Sequence, residues 1–149
     1  MADEYHDLAT LYEPWDARVL AFRVLSTHLQ AVEDEDAGAP DVAYEILLGI
    51  DDDESAIAII GRLVALSHGN QLRLTCMAPL DVQSGLKQDL TTEDGRWDAL
   101  VHYAGLVIDP MWDYCRLAAN SIAAGSFGGF EIPEEMPNPS LIKPVHRAD

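Results

Sequence analysis

The stretch 56–66, AIAIIGRLVAL, holds one charge, Arg62, and is otherwise apolar or glycine. A segment with no polar side has to run through the middle of a fold. Ile57, Ile60, Leu63 and Val64 fall together at helical spacing, with Ile59 and Leu66 elsewhere, which predicts a central helix. Asp51, Asp52, Asp53 and Glu54 suit its N-terminus, where carboxylates cap free amides and meet the positive end of the dipole. Gly69 is placed to end it.

Similar spacing occurs on either side. Trp15, Val19, Phe22, Leu25, Leu29 and Val32 recur every three or four residues, which predicts a helix over 14–33. A short helix over 40–48 would bury Val42, Ile46 and Leu47. Residues 71–90 are ambiguous: Leu72, Leu74 and Cys76 alternate with Arg73 and Thr75, the period of a strand. No partner strand is evident, so helix or irregular structure is expected. Trp97, Leu100, Val101, Ala104 and Ile108 form the face of a helix from about residue 92. Asp109 and Pro110 read as N-cap and N1 of another, reaching about residue 124, with Met111, Cys115, Ala118 and Ile122 inside. From Gly125 onward glycine and proline take over. The expectation is an all-α fold: a compact bundle of about five helices over 1–125, then an extended Pro-rich C-terminal arm over 126–149.

Charge constrains partners more than fold. The chain carries 9 basic and 26 acidic residues, a net charge of −17. Between Arg23 and Arg62 there is no lysine or arginine, while Glu33, Asp34, Glu35, Asp36, Asp41, Glu45 and the 51–54 cluster are all acidic. Such a field repels nucleic acid and anionic membrane and favours a basic partner. Glu33, Asp34, Glu35 and Asp36 would stand at a helix C-terminus, against the dipole, so local folding gives no reason for them. The arm offers Phe127, Phe130, Ile132, Leu141 and Ile142 between its prolines, apolar groups that a solubilising tail does not need. They would wrap the domain or dock on a partner. The partner-binding residues expected are these five together with Glu33–Asp36 and Asp51–Glu54.

Catalytic signals are thin. Cys76 and Cys115 form no CxxC pair and read as reduced, buried cytoplasmic thiols. No apolar run is long enough to span a membrane, and the first residues lack the features of a secretory leader. The 51–62 segment fails as a calcium loop, with Ala56 and Arg62 where glycine and glutamate belong. Asp98 and His102, four apart, could face a metal with Asp109, Asp113 and Cys115, but no second histidine stands at helical spacing. There is no GxSxG, and GSFGG matches neither a P-loop nor a dinucleotide fingerprint. No cofactor, metal or catalytic residue is therefore expected.

The reading that follows is a non-enzymatic, cytoplasmic, acidic protein-interaction module. It would be an adaptor, inhibitor or immunity-type protein meeting the basic surface of a partner protein, in its sharpest form by imitating phosphate charge. Direct contact with nucleic acid or membrane is not expected; a homo-oligomer is compatible. The alternatives are a structural subunit of a viral or bacterial assembly joined through the arm, and a small helical-bundle metal protein or enzyme built on Asp98 and His102.

Overall fold

The computed structural model describes residues 17–31, 42–51, 56–67, 69–82, 85–125 and 132–143. Five strands come first: β1 (Ala17–Val19), β2 (Arg23–Ala31), β3 (Val42–Ile50), β4 (Ile57–Ser67) and β5 (Asn70–Val82). One helix, α1 (Glu93–Gly125), and a two-residue strand, β6 (Ser140–Leu141), follow. The chain is thus mainly sheet. The expectation of an all-α helical bundle is overturned: three of the expected helices are strands, and the other two are one helix.

β1 and β2 lie end to end along one side of β5, and β4, β3 and β6 continue the sheet from its other side. Every pairing is antiparallel except that of β3 with β6. β2 and β3, consecutive in the chain, therefore lie on opposite sides of the β5–β4 pair.

The apolar stretch 56–66 does occupy the middle of the fold, but as a strand. Ile57, Ile59, Leu63 and Ala65 of β4 point to one face and are buried, together with Gly61. Ala58, Ile60, Val64 and Leu66 point to the other. When both sides of a strand are apolar, the two-residue period disappears and the run resembles a buried helix. Residues 71–76 keep their alternation because only one side is apolar there. The partner strand that seemed missing is β4 itself, joined to β5 by a tight turn at Gly69, whose φ of 78° suits glycine.

The helical spacing read over 14–33 comes from an interrupted edge. Among the described residues, Val19 ends β1, Phe22 lies in the break, Leu25 sits at a bulge between Val24 and Ser26, and Leu29 belongs to β2. A break and a bulge convert a two-residue period into apparent steps of three and four. Pro79 accounts for the break. Its carbonyl accepts the Leu20 N–H at 2.9 Å, so its nitrogen faces the same edge and has no proton to return.

α1 lies across one face of the sheet. Glu93 and Asp94 occupy its first turn, and the Thr92 hydroxyl caps the Gly95 N–H at 3.0 Å. A side chain at Gly95 would strike the Asp89 carbonyl. Leu100, Ala104, Val107, Met111, Cys115 and Ala119 recur at helical spacing and are buried against the sheet. Gly61 lets helix and sheet approach closely, since a Cβ there would collide with the Met111 sulphur. Pro110 was expected to start a new helix, yet α1 runs through it. It removes the donor that the Leu106 carbonyl would otherwise receive. In the same turn the buried Tyr44 hydroxyl donates to the Ile108 carbonyl at 2.9 Å.

The described part of the arm packs on its own domain. Ile132 is buried in the core and Met136 and Leu141 pack against it. Trp112 Nε1 donates to the Glu134 carbonyl at 3.2 Å, and Ile142 N–H to the Ile46 carbonyl at 2.8 Å.

Candidate interaction face

The sheet has two faces, and α1 covers one. On the opposite face, cross-strand register sets side chains in rows. One row runs Arg23, Met77, Ile60, Leu47; the next Ser26, Thr75, Arg62, Glu45; the next His28, Arg73, Val64, Ala43. Pro79 and Ala58 extend the apolar ground at one end, and Leu66 beside Gln71 at the other. Leu47, Ile60, Val64, Leu66 and Met77 are half-buried and lie outside the hydrophobic core cluster. Among the described residues no element packs over them.

Polar groups interrupt this surface at defined points. Arg62 Nη1 meets Glu45 Oε1 at 3.4 Å, with both side chains about one-third exposed. Arg18 Nε meets Asp81 Oδ2 at 3.3 Å near the sheet end. Gln30 donates to Gln71 at 3.2 Å. Arg23, His28 and Arg73 are exposed, and neither arginine meets a carboxylate among the described residues. Among the described residues no strand pairs with the outer edge of β1 and β2, and Leu20, Val24 and Leu25, which are 58%, 41% and 50% exposed, cluster where β1 gives way to β2.

The residues singled out from the sequence are placed differently. Glu33, Asp34, Glu35, Asp36, Asp52, Asp53, Glu54, Phe127 and Phe130 lie outside the described residues. Asp51 caps no helix, because β4 follows it. Its N–H donates to the Ala56 carbonyl at 3.1 Å and its carboxylate accepts the Ala56 N–H at 3.0 Å, closing the β3–β4 turn. Ile132 is buried, Leu141 packs against the core, and Ile142 is half-buried beside β3.

Asp98 and Asp109 are exposed, and His102 lies edge-on to Tyr103 with ring centres 4.7 Å apart. Asp113 reaches Arg116 at 3.8 Å. Among the described residues no three His, Cys, Asp or Glu side chains converge on a point where a metal could sit. Cys76 and Cys115 are both fully buried and share a hydrogen bond between β5 and α1. That bond, with burial, holds the Cys115 thiol well above the ordinary thiol range. No described helix is long and apolar enough to cross a membrane.

Sequence reasoning missed the open face because it depends on register between strands. Leu47, Ile60 and Val64 fall into the helix stripes read from the sequence, whereas Leu66 and Met77 fall into none. The alternation of Leu72, Arg73, Leu74, Thr75 and Cys76 was the one signal that could have revealed it.

No protein-family model and no curated protein matches the sequence. Among solved structures, the chain is similar to the SecB-like chaperone Rv1957 of Mycobacterium tuberculosis, in complex with a ChAD peptide from the Rv1956 HigA1 antitoxin. The two share a TM-score of 0.52 and 18% sequence identity over 84% of this chain and 95% of that one. At this identity the likeness is one of fold alone.

Proposed function

We propose that the chain is a non-enzymatic binding module that holds extended apolar segments of another polypeptide on the open face of its sheet. The observation that carries this reading is the half-buried patch of Leu47, Ile60, Val64, Leu66 and Met77, uncovered among the described residues. An uncovered apolar surface interrupted by polar groups is the usual form of an interaction site in a folded domain. The structural neighbour, a chaperone solved with a peptide from an antitoxin, supports the same reading. Fluorescence anisotropy with a labelled extended apolar peptide tests it. The double substitution Ile60→Glu and Val64→Glu should weaken binding at least about tenfold, because carboxylates would be desolvated under the peptide. Circular dichroism should stay unchanged. Undiminished binding by a folded double variant would remove the face from consideration.

A more specific partner, a basic protein surface met in the manner of an adaptor, inhibitor or immunity-type protein, rests on the net charge of −17. Neutralising Glu33–Asp36 and Asp51–Glu54 to their amides should abolish capture of such a partner and leave peptide binding on the sheet intact. Self-association is a further reading, favoured by the exposed Leu20, Val24 and Leu25 along an open edge. Leu25→Lys should then convert the assembly to monomer in analytical ultracentrifugation.

A further inference from the structure

We infer that the open face selects segments in which carboxylates punctuate apolar residues; this rests on the reading of that face as the peptide-binding surface. The chain has 9 lysines and arginines against 26 acids, yet Arg18, Arg23, Arg62 and Arg73 all belong to this face. The carboxylates that face them from the described strands are Glu45 and Asp81, already engaged by Arg62 and Arg18. Arg23 and Arg73 are left in excess, exposed, on either side of the Ser26–Thr75 row. An acidic protein thus carries a locally cationic apolar surface.

The placement of the two arginines sets a spacing. Arg23 stands opposite Met77, four residues along β5 from Arg73. At about 3.3 Å per residue the two positions are about 13 Å apart along the strand. An extended segment lying parallel to β5 presents same-side residues at i, i+2 and i+4. Carboxylates at i and i+4 would meet the two guanidiniums, residue i+2 would lie over the Ser26–Thr75 row, and apolar residues at i−2 and i+6 would cover Pro79 with Ala58 and Leu66. The global charge does not cancel this choice. At about 0.15 M salt the screening length is about 8 Å, so exposed charges elsewhere are largely screened and contact charges decide.

Three labelled peptides with one alternating apolar pattern and Glu, Gln or Lys at i and i+4 provide the test, read by anisotropy at about 0.15 M salt. The Glu peptide should bind tighter than the Gln peptide by about 1.5- to 5-fold per carboxylate, the range of exposed ion pairs. The Arg23→Gln, Arg73→Gln variant should erase that difference, so that it binds the Glu and Gln peptides alike. A Glu preference that survives in this variant would overturn the inference. So would equal binding of Glu and Gln peptides, which leaves the face itself standing as a binding surface. Tightest binding of the Lys peptide would overturn it in favour of the global field. If none of the three binds, the peptide-binding reading fails and the selection falls with it.

Discussion

The two faces of the sheet are made from the same strands, and in β4 both are largely apolar, yet they are used differently. On the inner face Ile59, Leu63, Leu72 and Leu74 are buried to 1% exposure or less against α1 and its surroundings. On the outer face Ile60, Val64 and Leu66, their neighbours in β4, keep part of their surface in solvent. The apolar residues alone do not separate these faces. What separates them is the closeness of the helix, which Gly61 permits, and the ionic groups, all placed outside. A strand that is apolar on both sides gives the fold its core and leaves a second apolar surface free for a partner.

The largest expected difference is between Leu63→Ala and Ile60→Ala. The first should cost about 2–5 kcal/mol in denaturant melts, the range for a buried large-to-small change. The second should cost clearly less, since part of Ile60 is already hydrated. Equal costs would mean that the outer face is as tightly packed as the inner. Gly61→Ala and Gly49→Ala make a second pair. At Gly61 the added methyl meets the buried Met111 sulphur and should cost about 1–3 kcal/mol. At Gly49 it meets the tip of Ile60, on the open side where that tip has room to turn, and the melting temperature should scarcely move.

Tyr44→Phe removes the hydroxyl bond to Ile108 and should cost about 0.5–1.5 kcal/mol at neutral pH. Burial, with smaller contributions from Cys115, Cys76 and Asp109, pushes the Tyr44 phenol far above its ordinary range. A raised folded value means that its stabilisation is complete below the unfolded phenol value of about 10 and is lost as pH rises beyond it. Wild type should therefore lose stability in alkali more steeply than the Phe variant, as followed by thermal melts against pH. The smallest effect belongs to the outer face. A double-mutant cycle on Arg62 and Glu45 should return a coupling of about 0.2–1 kcal/mol, reduced by added salt.

The sequence announced which stretch is central and misjudged its geometry. Residues 56–66 had to be interior, and they are, but periodicity cannot tell an all-apolar strand from an all-apolar helix. The branched residues Ile57, Ile59, Ile60 and Val64 favoured a strand. The inner side of α1 was legible in Leu100, Ala104, Met111 and Cys115, whereas Val101, read as part of that face, is 50% exposed. The continuity of α1 through Pro110 was not legible, because local rules break a helix there and packing on the sheet retains it. The candidate face was the least legible part. Arg23, Arg73, Val64 and Leu47 are far apart in the chain, and only the pairing of β2, β5, β4 and β3 makes them one surface.

Pro79 gives the edge of the sheet an index mark. Beside it β5 has no N–H to offer, so an interruption of the neighbouring strand sacrifices one hydrogen bond fewer there than beside an ordinary residue. The break at residues 20–22 is seated at that notch. Sliding β1 and β2 along β5 by two residues would set paired backbone against the notch and the break against intact donors, losing bonds at both places. The proline thereby works as a detent, and the position of Leu20, Val24 and Leu25 on the open edge is fixed by an atom that β5 lacks.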